Sequence, residues 1–367
     1  MNYFTSLEDL KNYRDVEALS QSFLKLVLSN NVNKKFKPTI QMDLGSYLDA
    51  LTTCPDLVDD LFQVGLAKRP SDAIKGFIDA VFLELNTYVI EEEKTFEAVV
   101  SSDIGYFKDL ILGKVRQAEY QPKWGDDAVW NSIVKDGQGY WEELISSQGK
   151  VLITQEEYEN CQNIAQLACS SAITGKYFQD QEDIDKYYQK PLYWTSEGLS
   201  CKGLLDILIF EEKTKTIYIV DIKSTGVGTL KEWFNVCRSK NYLFQMSWYR
   251  EGVIANYSEL IEDGWKIECR WIVIPTGFFK PWIVPCTQVM LKFGKKGYFK
   301  SRTSYYDHLG EINAKDKFDG QEYIPGFEKA IHLYKTKEEL GLLDYDTEYY
   351  FINGKLDNTQ AEQYYFI

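Results

Sequence analysis

Apolar residues recur at two different spacings along this chain, and the change between them falls near residue 190. Before that point, apolar positions three and four residues apart indicate helices. They predict helices over 21–28, capped by Ser20, over 43–51, capped by Asp43, and across 72–120 and 155–174. Two glycines in Gly137–Trp141 predict a turn in this region. We therefore expect a mostly helical N-terminal subregion over residues 1–150.

After residue 190 the chain changes to short runs rich in Ile, Leu, Val and Tyr, a composition typical of strands. These runs predict strands over 191–194, 203–210, 216–222, 265–275 and 281–290. Helical spacing returns over 230–252 and 325–341, and Asn353-Gly354 predicts a terminal hairpin. The pattern predicts an α/β (α+β) fold with its core over 151–310 and a helix-and-hairpin extension over 311–367.

The chemistry is concentrated in one predicted hairpin, in which two apolar runs flank the polar segment 211–215. If Phe210 pairs with Ile217, the same register places Asp206 opposite Asp221, with Cβ atoms about 4.5–5.5 Å apart. Lys223 follows Asp221 by two residues and so points to the same face of the strand. A slip of one residue would separate the two acids.

Two facing carboxylates repel each other unless a cation binds between them. Mg²⁺ takes carboxylate and carbonyl oxygens, so Asp206, Asp221 and the Ile222 carbonyl form a candidate metal site. Lys223 beside the metal could orient water or offset charge on a phosphorane-like transition state. The alternative is an ordinary exposed edge strand. The apolar neighbours of both acids favour burial, which is rare for acids that bind nothing.

Three ordered motifs carry a resemblance. Gly203-Leu-Leu-Asp206, Asp221-Ile-Lys223-Ser224-Thr225 and Gln245-Met-Ser-Trp-Tyr249 resemble motifs of the PD-(D/E)xK nuclease superfamily, and more narrowly of RecB-like and RecE-like phage-type exonucleases. Weaker resemblance extends to Leu19–Lys25 and Leu44–Ala50. Gln245 and Tyr249 are four residues apart and so share one helical face. An ordinary amphipathic helix would show the same spacing.

The resemblance implies a restriction-endonuclease-like fold, a mixed central sheet flanked by helices. It implies Mg²⁺ or Mn²⁺ at the hairpin, a water positioned by Lys223, and substrate contacts from Gln245 and Tyr249. Relatives carry a metal-side histidine where this chain has Asp49, which is either an oxygen ligand or an exposed helix residue. They also often carry a glutamate upstream of Trp194, where this chain has Gln189 and Lys190.

The activity implied by the resemblance is exonucleolytic hydrolysis of double-stranded DNA ends, from 5′ to 3′, for recombination or repair in a bacterial or phage setting. A homo-oligomeric ring and a single-strand annealing partner are also implied. Two alternatives remain open: a structure-specific or general endonuclease on the same core, and a degenerate nuclease fold serving as a scaffold. The candidate DNA contacts are Ser22, Lys25, Lys34, Lys35, Lys37, Ser224, Thr225, Lys292, Lys295 and Lys296.

Composition alone points away from a nucleic-acid partner, because the formal net charge is −14. Two windows, 18–42 and 269–306, contain no acid and eleven cations. They are either solvated loops or a cationic groove. Seven scattered cysteines and two histidines predict neither a zinc site nor an iron–sulfur cluster. No signal peptide or membrane segment is predicted, so we expect a cytoplasmic protein.

Overall fold

The structure is a computed structural model of the 367-residue chain. It describes residues 6–29, 32, 39–66, 68–91, 104–147, 150–277, 280–300, 322–341 and 343. Contacts divide the chain into two units. The first contains residues 1–35, 52–54 and 166–367, and the second contains residues 36–51 and 55–165. The predicted boundary at 150 falls inside the second unit, and residues 1–35 group with the sheet of the first.

The second unit is built mainly from helices around an aromatic and aliphatic core. Its core includes Ile78, Phe107, Ile111, Ile133 and Trp141, all buried. A short parallel pair of strands, Phe62–Leu66 (β1) and Val151–Thr154 (β2), completes it. The helices in this part of the chain are α3 (Ile40–Thr53), α4 (Val58–Leu61), α5 (Asp72–Glu91), α6 (Ile104–Gln117), α7 (Asp126–Ser146) and α8 (Gln155–Ser170).

The first unit contains a five-stranded mixed sheet with helices packed against it. Its helices are α1 (Leu7–Asp15), α2 (Gln21–Leu28), α9 (Leu230–Ser239), α10 (Tyr242–Asn256), α11 (Ser258–Glu262), α12 (Gln288–Lys296) and α13 (Phe327–Glu339). Its strands are β3 (Ile184–Ser196), β4 (Leu199–Glu211), β5 (Thr216–Thr225), β6 (Lys266–Pro275), β7 (Trp282–Cys286), β8 (Tyr298–Lys300) and β9 (Glu322–Ile324).

The order of the large sheet is β3-β4-β5-β6-β7, which makes β5 its central strand. β5 pairs antiparallel with β4 and parallel with β6. A parallel connection needs a crossover, which α9, α10 and α11 supply. In β5, Ile217, Ile219 and Val220 are fully buried, which agrees with the apolar run that a strand buried on both faces carries.

Helix α10 is the main element packed against this sheet. It is buried almost all round, because Leu243, Phe244, Trp248 and Val253 have 0–1% exposure. The Trp248 ring packs 4.9 Å from the ring of Trp194 on β3, measured between centroids. The Trp248 indole N–H also donates to the Lys202 carbonyl, at 3.0 Å. These contacts fix α10 over β3 and β4.

Several predicted elements are confirmed. The helix over 21–28 has the predicted bounds, and Ser20 caps it by accepting the N–H of Phe23. The three strand runs at 191–194, 203–210 and 216–222 lie inside β3, β4 and β5. Phe210 pairs with Ile217, which is the register considered for the hairpin. The α/β fold class, a mixed sheet flanked by helices, is likewise confirmed.

Other boundaries were predicted wrongly. α3 begins at Ile40, so Asp43 lies in its first turn and is not the cap. The predicted turn Gly137–Trp141 is helical and lies inside α7, where Gly137 is buried against Ile74 and Ile78. The α8 helix ends at Ser170, earlier than predicted. Of the helical stretch 72–120, the described parts are α5 and α6.

Two further corrections concern the first unit. The single helix predicted over 230–252 is two helices, because Asn241 adopts a left-handed conformation (φ 50°) between them. The strand predicted over 281–290 ends at Cys286, and α12 begins after Thr287, which caps it. The predicted terminal hairpin lies outside the described residues. Among the helices that the structure describes, none has the length and apolarity to cross a bilayer.

Candidate active site

The candidate site begins where β4 and β5 stop pairing. The antiparallel ladder runs from Glu211–Thr216 to Ile207–Val220 and ends there. The direct pairing of Asp206 with Asp221, which the register would give next, is therefore not part of the ladder. Instead, the Asp206 carboxylate crosses to β5 and its Oδ2 accepts the N–H of Ile222, at 2.7 Å. The Asp206 side chain thus takes the place of a backbone carbonyl as the acceptor of the Ile222 N–H.

Gln189 lies at the corresponding place on β3, and the sequence pattern does not reveal its backbone conformation. It is between the pairs Tyr188–Ile207 and Lys190–Leu205, and so across from Asp206. Its φ is +46°, it is buried, and its amide donates to Thr53 Oγ1 at 2.9 Å. Such a conformation costs about 1–3 kcal/mol and persists where the surroundings enforce it, often at functional sites.

Asp221 and Lys223 form a buried ion pair on β5. The Lys223 Nζ is 2.6 Å from Asp221 Oδ2, and the two side chains are 14% and 1% exposed. Asp221 Oδ1 is also buried and accepts no hydrogen bond from the residues that the structure describes. Lys223 donates in addition to the Ile222 carbonyl, at 3.2 Å. A carboxylate oxygen buried without a donor is unfavourable unless a ligand satisfies it.

The electrostatics of this pair follow from burial and from neighbouring charges. Burial raises the pKa of Asp221, although the ammonium groups of Lys223 and Lys25 oppose that rise. Burial alone would lower the pKa of Lys223. The Asp221 and Asp206 carboxylates outweigh it and raise that pKa above its ordinary value. Lys223 therefore stays cationic between two acids.

Gln245 and Tyr249 share one face of α10, as predicted, because the Gln245 amide donates to the Tyr249 hydroxyl at 2.9 Å. The Tyr249 ring lies against Gly203, where a Cβ would approach it to 3.3 Å. Burial raises the pKa of Tyr249, and the Asp221 and Asp206 carboxylates add to the rise. Both acids therefore lie within electrostatic range of the Tyr249 hydroxyl.

Helix α2 carries Lys25 into the electrostatic surroundings of the Asp221–Lys223 pair. The backbone of Leu19 bonds to Ser200 and Lys202 on β4, at 2.8 Å each, which sets α2 beside the sheet. Burial and the charge of Lys223 lower the pKa of Lys25 to about 8, although the Asp221 carboxylate opposes that fall. Lys25 therefore lies within electrostatic range of the Asp221–Lys223 pair.

Tyr242, at the start of α10, is a further residue that sequence reasoning missed. The Lys223 Nζ lies 5.1 Å from the centroid of its ring, within cation–π range. The ring itself stacks on Trp233 at 5.6 Å. An aromatic residue at a helix start carries no sequence signal for such a contact, which depends on how α10 packs on β5.

The remaining candidates are distributed more widely. Ser22 lines a cavity of about 320 Å³ together with Gly203 and Tyr249. Ser224 and Thr225 end β5, and the Thr225 hydroxyl accepts the N–H of Val227 at 3.3 Å, a role in the turn. Asp49 lies on α3, in the second unit. Lys34, Lys35 and Lys37 lie outside the described residues.

The lysines of α12 differ in their partners. Lys292 and Lys296 are exposed. Lys295 pairs with Glu251 at 3.0 Å and approaches Glu328 to 3.8 Å. Two acids already offset its charge, so Lys295 contributes less to a cationic surface than its neighbours do.

Comparison with known proteins adds little. No protein-family model matches the chain, and no curated protein matches it. Among solved structures, it is similar to a putative exonuclease from Eubacterium rectale, with 16% sequence identity and a TM-score of 0.28. The match covers 50% of this chain and 61% of the other, so the chain spans less than two thirds of that protein's length. A similarity this low indicates no function for the site, so its own residues are the evidence for one.

Proposed function

We propose that this chain is a metal-dependent DNA exonuclease that hydrolyses phosphodiester bonds at double-stranded ends, from 5′ to 3′, in recombination or repair. Its setting would be the cytoplasm of a bacterium or a phage-infected cell. The observation that carries the proposal is the buried Asp221 carboxylate. One of its oxygens is 2.6 Å from Lys223, and the other accepts no hydrogen bond among the described residues.

The donor set fits a hard divalent cation. Asp206, Asp221 and the Ile222 carbonyl would hold Mg²⁺ or Mn²⁺, since these ions prefer oxygen ligands and leave positions for water and substrate phosphate. No group of three or more His, Cys, Asp or Glu side chains converges among the described residues. A carbonyl or water would therefore complete the coordination. When bound, the metal would supply Lewis-acid activation of the phosphate and of water.

The chain's own residues have separate tasks in this proposal. Lys223, held cationic by two acids, orients the attacking water and offsets negative charge that develops on the phosphate. Gln245 and Tyr249, hydrogen-bonded to each other over Gly203, steady the strand at the cleaved bond. Lys25 lies within electrostatic range of the pair and adds a second cation toward the phosphate.

Phosphate contacts further along the DNA are assigned to the other candidates. Ser22 lies in the first turn of α2, where backbone N–H groups favour an anion, and we assign to it a terminal phosphate. Lys292 and Lys296 are exposed and would track the backbone, joined by Lys34, Lys35 and Lys37. A homo-oligomeric ring and a single-strand annealing protein remain proposed partners.

One assay separates the candidate functions. End-labelled linear duplex and covalently closed circular DNA are incubated with the protein and Mg²⁺ or Mn²⁺, with EDTA as the control. An exonuclease releases short labelled products from linear DNA and leaves the circle intact. We expect that result, with 5′ label released first. Nicking or linearisation of the circle would instead indicate an endonuclease, and inertness with both metals would indicate a scaffold.

A further inference from the structure

A second cavity of the first unit, about 670 Å³ in volume, is not used by the mechanism above. It opens where α2 and α9 end, and β9 forms part of its wall. Its cations are Lys25, Arg238 and Lys240, and none of the described residues that line it is an acid. We call it the α2–α9 groove. Such a lining is notable in a chain whose net charge is −14.

The ends of two helices offset only part of this positive charge. α2 and α9 both end at the groove, and the Lys25 ammonium donates to the Lys240 carbonyl at 3.2 Å. Each helix C-terminus carries a partial charge of about −0.5. Among the described residues that line the groove, three cations against two helix ends leave a surplus of about two positive charges. The surplus favours an anionic ligand.

The opposite wall supplies an aromatic ring. Tyr323 lines the groove and is 38% exposed, and its hydroxyl donates to the Lys296 carbonyl at 2.7 Å, which fixes the ring. The left-handed Asn241 also lines the groove and donates to the Pro325 carbonyl at 3.3 Å. Cations that track a backbone, combined with a fixed aromatic platform, are the elements of single-strand binding sites.

Lys25 connects this groove to the candidate active site. It lines the groove, and it also lies within electrostatic range of Asp221 and Lys223. Lys25 is thus common to the groove and to the electrostatic surroundings of the hairpin acids. Duplex DNA keeps its base faces inside the stack, so a fixed aromatic ring gains nothing from it, whereas unpaired bases can stack on the ring.

We propose that the α2–α9 groove binds single-stranded DNA next to the cleavage site, with phosphates on Arg238 and Lys240 and a base stacked on Tyr323. The proposal deepens the proposed function and rests on it, since it assigns the strand on which the nuclease would act.

The test measures binding in EDTA, where cleavage does not contribute. Fluorescence anisotropy follows a labelled oligo(dT) of about 12 nucleotides, and a duplex of the same length, over a series of salt concentrations. The variants are Arg238→Glu with Lys240→Glu, and Tyr323→Ala. Their matched controls are Lys213→Glu with Lys266→Glu, two exposed lysines of the same unit, and Tyr323→Phe, which keeps the ring. Circular dichroism melts check that each variant folds.

We expect the groove charge reversals to weaken oligo(dT) binding at least about tenfold and to lower its log–log salt slope by about 1.4, since each lost phosphate contact removes about 0.7. Tyr323→Ala should weaken it at least about fivefold, and Tyr323→Phe should not. Affinity equal to that of the lysine controls would overturn the proposal. So would an equal loss on duplex and single strand with no effect of Tyr323→Ala, which would indicate a general phosphate surface.

The two proposals fail separately. If oligo(dT) binds through the groove but neither Mg²⁺ nor Mn²⁺ supports cleavage of any DNA, the nuclease assignment fails and the groove remains a binding site. If DNA is cleaved while the groove variants bind like wild type, the groove assignment alone fails.

Discussion

Replacing Asp221 with alanine is expected to lower metal-dependent DNA cleavage by about a thousandfold or more, because it removes a proposed metal ligand and the partner that holds Lys223. Asp221 is 1% exposed, and its carboxylate is 2.6 Å from the Lys223 ammonium. No acid elsewhere on β5 could take its place, since Asp221 is the only one in that strand. Initial rates on end-labelled linear duplex in Mn²⁺ measure the effect.

The control must separate lost chemistry from lost structure. Asp185→Ala removes an exposed carboxylate from β3 of the same sheet and should leave the rate near that of wild type. Asp221→Asn keeps the shape of the side chain and provides a second variant if the alanine form melts early. A folded Asp221→Asn or Asp221→Ala protein with undiminished cleavage would remove Asp221 from the mechanism.

Replacing Lys223 with methionine should lower cleavage by about 100- to 1,000-fold while preserving metal binding. In the metal-free protein, the Lys223 ammonium occupies one oxygen of Asp221, so it competes with a cation for that carboxylate. Mn²⁺ should therefore still raise the melting temperature of the methionine variant, as ligand binding to the folded state requires. Asp221→Ala should lose both the cleavage and the stabilisation.

The same substitution has a pH signature. In the metal-free protein, the methionine substitution removes the Lys223 ammonium, which lowers the pKa of Asp221. Burial therefore raises the pKa of that carboxyl further in the variant. The folded variant then keeps a proton that the unfolded chain releases above about pH 4, so its stability falls as pH rises from there to the folded pKa.

We therefore expect the melting-temperature deficit relative to wild type to be larger at about pH 8 than at about pH 5. Lys266→Met, at an exposed lysine on β6, is the control and should show no such difference. A deficit that stays constant with pH would mean that Asp221 does not titrate in this range, and an absent Mn²⁺ shift would remove Lys223 and Asp221 from a shared site.

Local sequence information was sufficient for the hairpin. Strand periodicity is two, so only registers of one parity place Asp206 and Asp221 on the same face, and the observed Phe210–Ile217 register is one of them. The Gln245–Tyr249 contact likewise follows from helical geometry, because residues four apart are neighbours on a helix surface.

The parts that depend on tertiary packing were not predictable in this way. Parity continues the ladder to Asp206, but the strands separate there and a side chain replaces the backbone bond, beside the left-handed Gln189. The break at Asn241 has no proline or glycine to mark it. The sequence pattern predicts a turn at Gly137, but this residue lies inside α7, where Ile74 and Ile78 leave no room for a larger side chain.

Net charge was also a poor guide to partners. The acidic total hides a cavity lined by cations, and it hides the fact that Lys295 of the predicted basic strip is already paired with Glu251. Whether a lysine or arginine can contact DNA depends on which side chains surround it in the fold, and the net charge of the sequence does not contain that information.

The most direct measurement of the central claim is an anomalous difference map from crystals of the wild-type protein soaked in Mn²⁺. The account predicts one strong peak between the carboxylates of Asp206 and Asp221, at about 2.0–2.2 Å from an oxygen of each and near the Ile222 carbonyl. It also predicts that Lys223 no longer occupies the Asp221 oxygen that the metal takes. A fully soaked crystal in which Mn²⁺ binds elsewhere, with the Asp221–Lys223 pair unchanged, would contradict it.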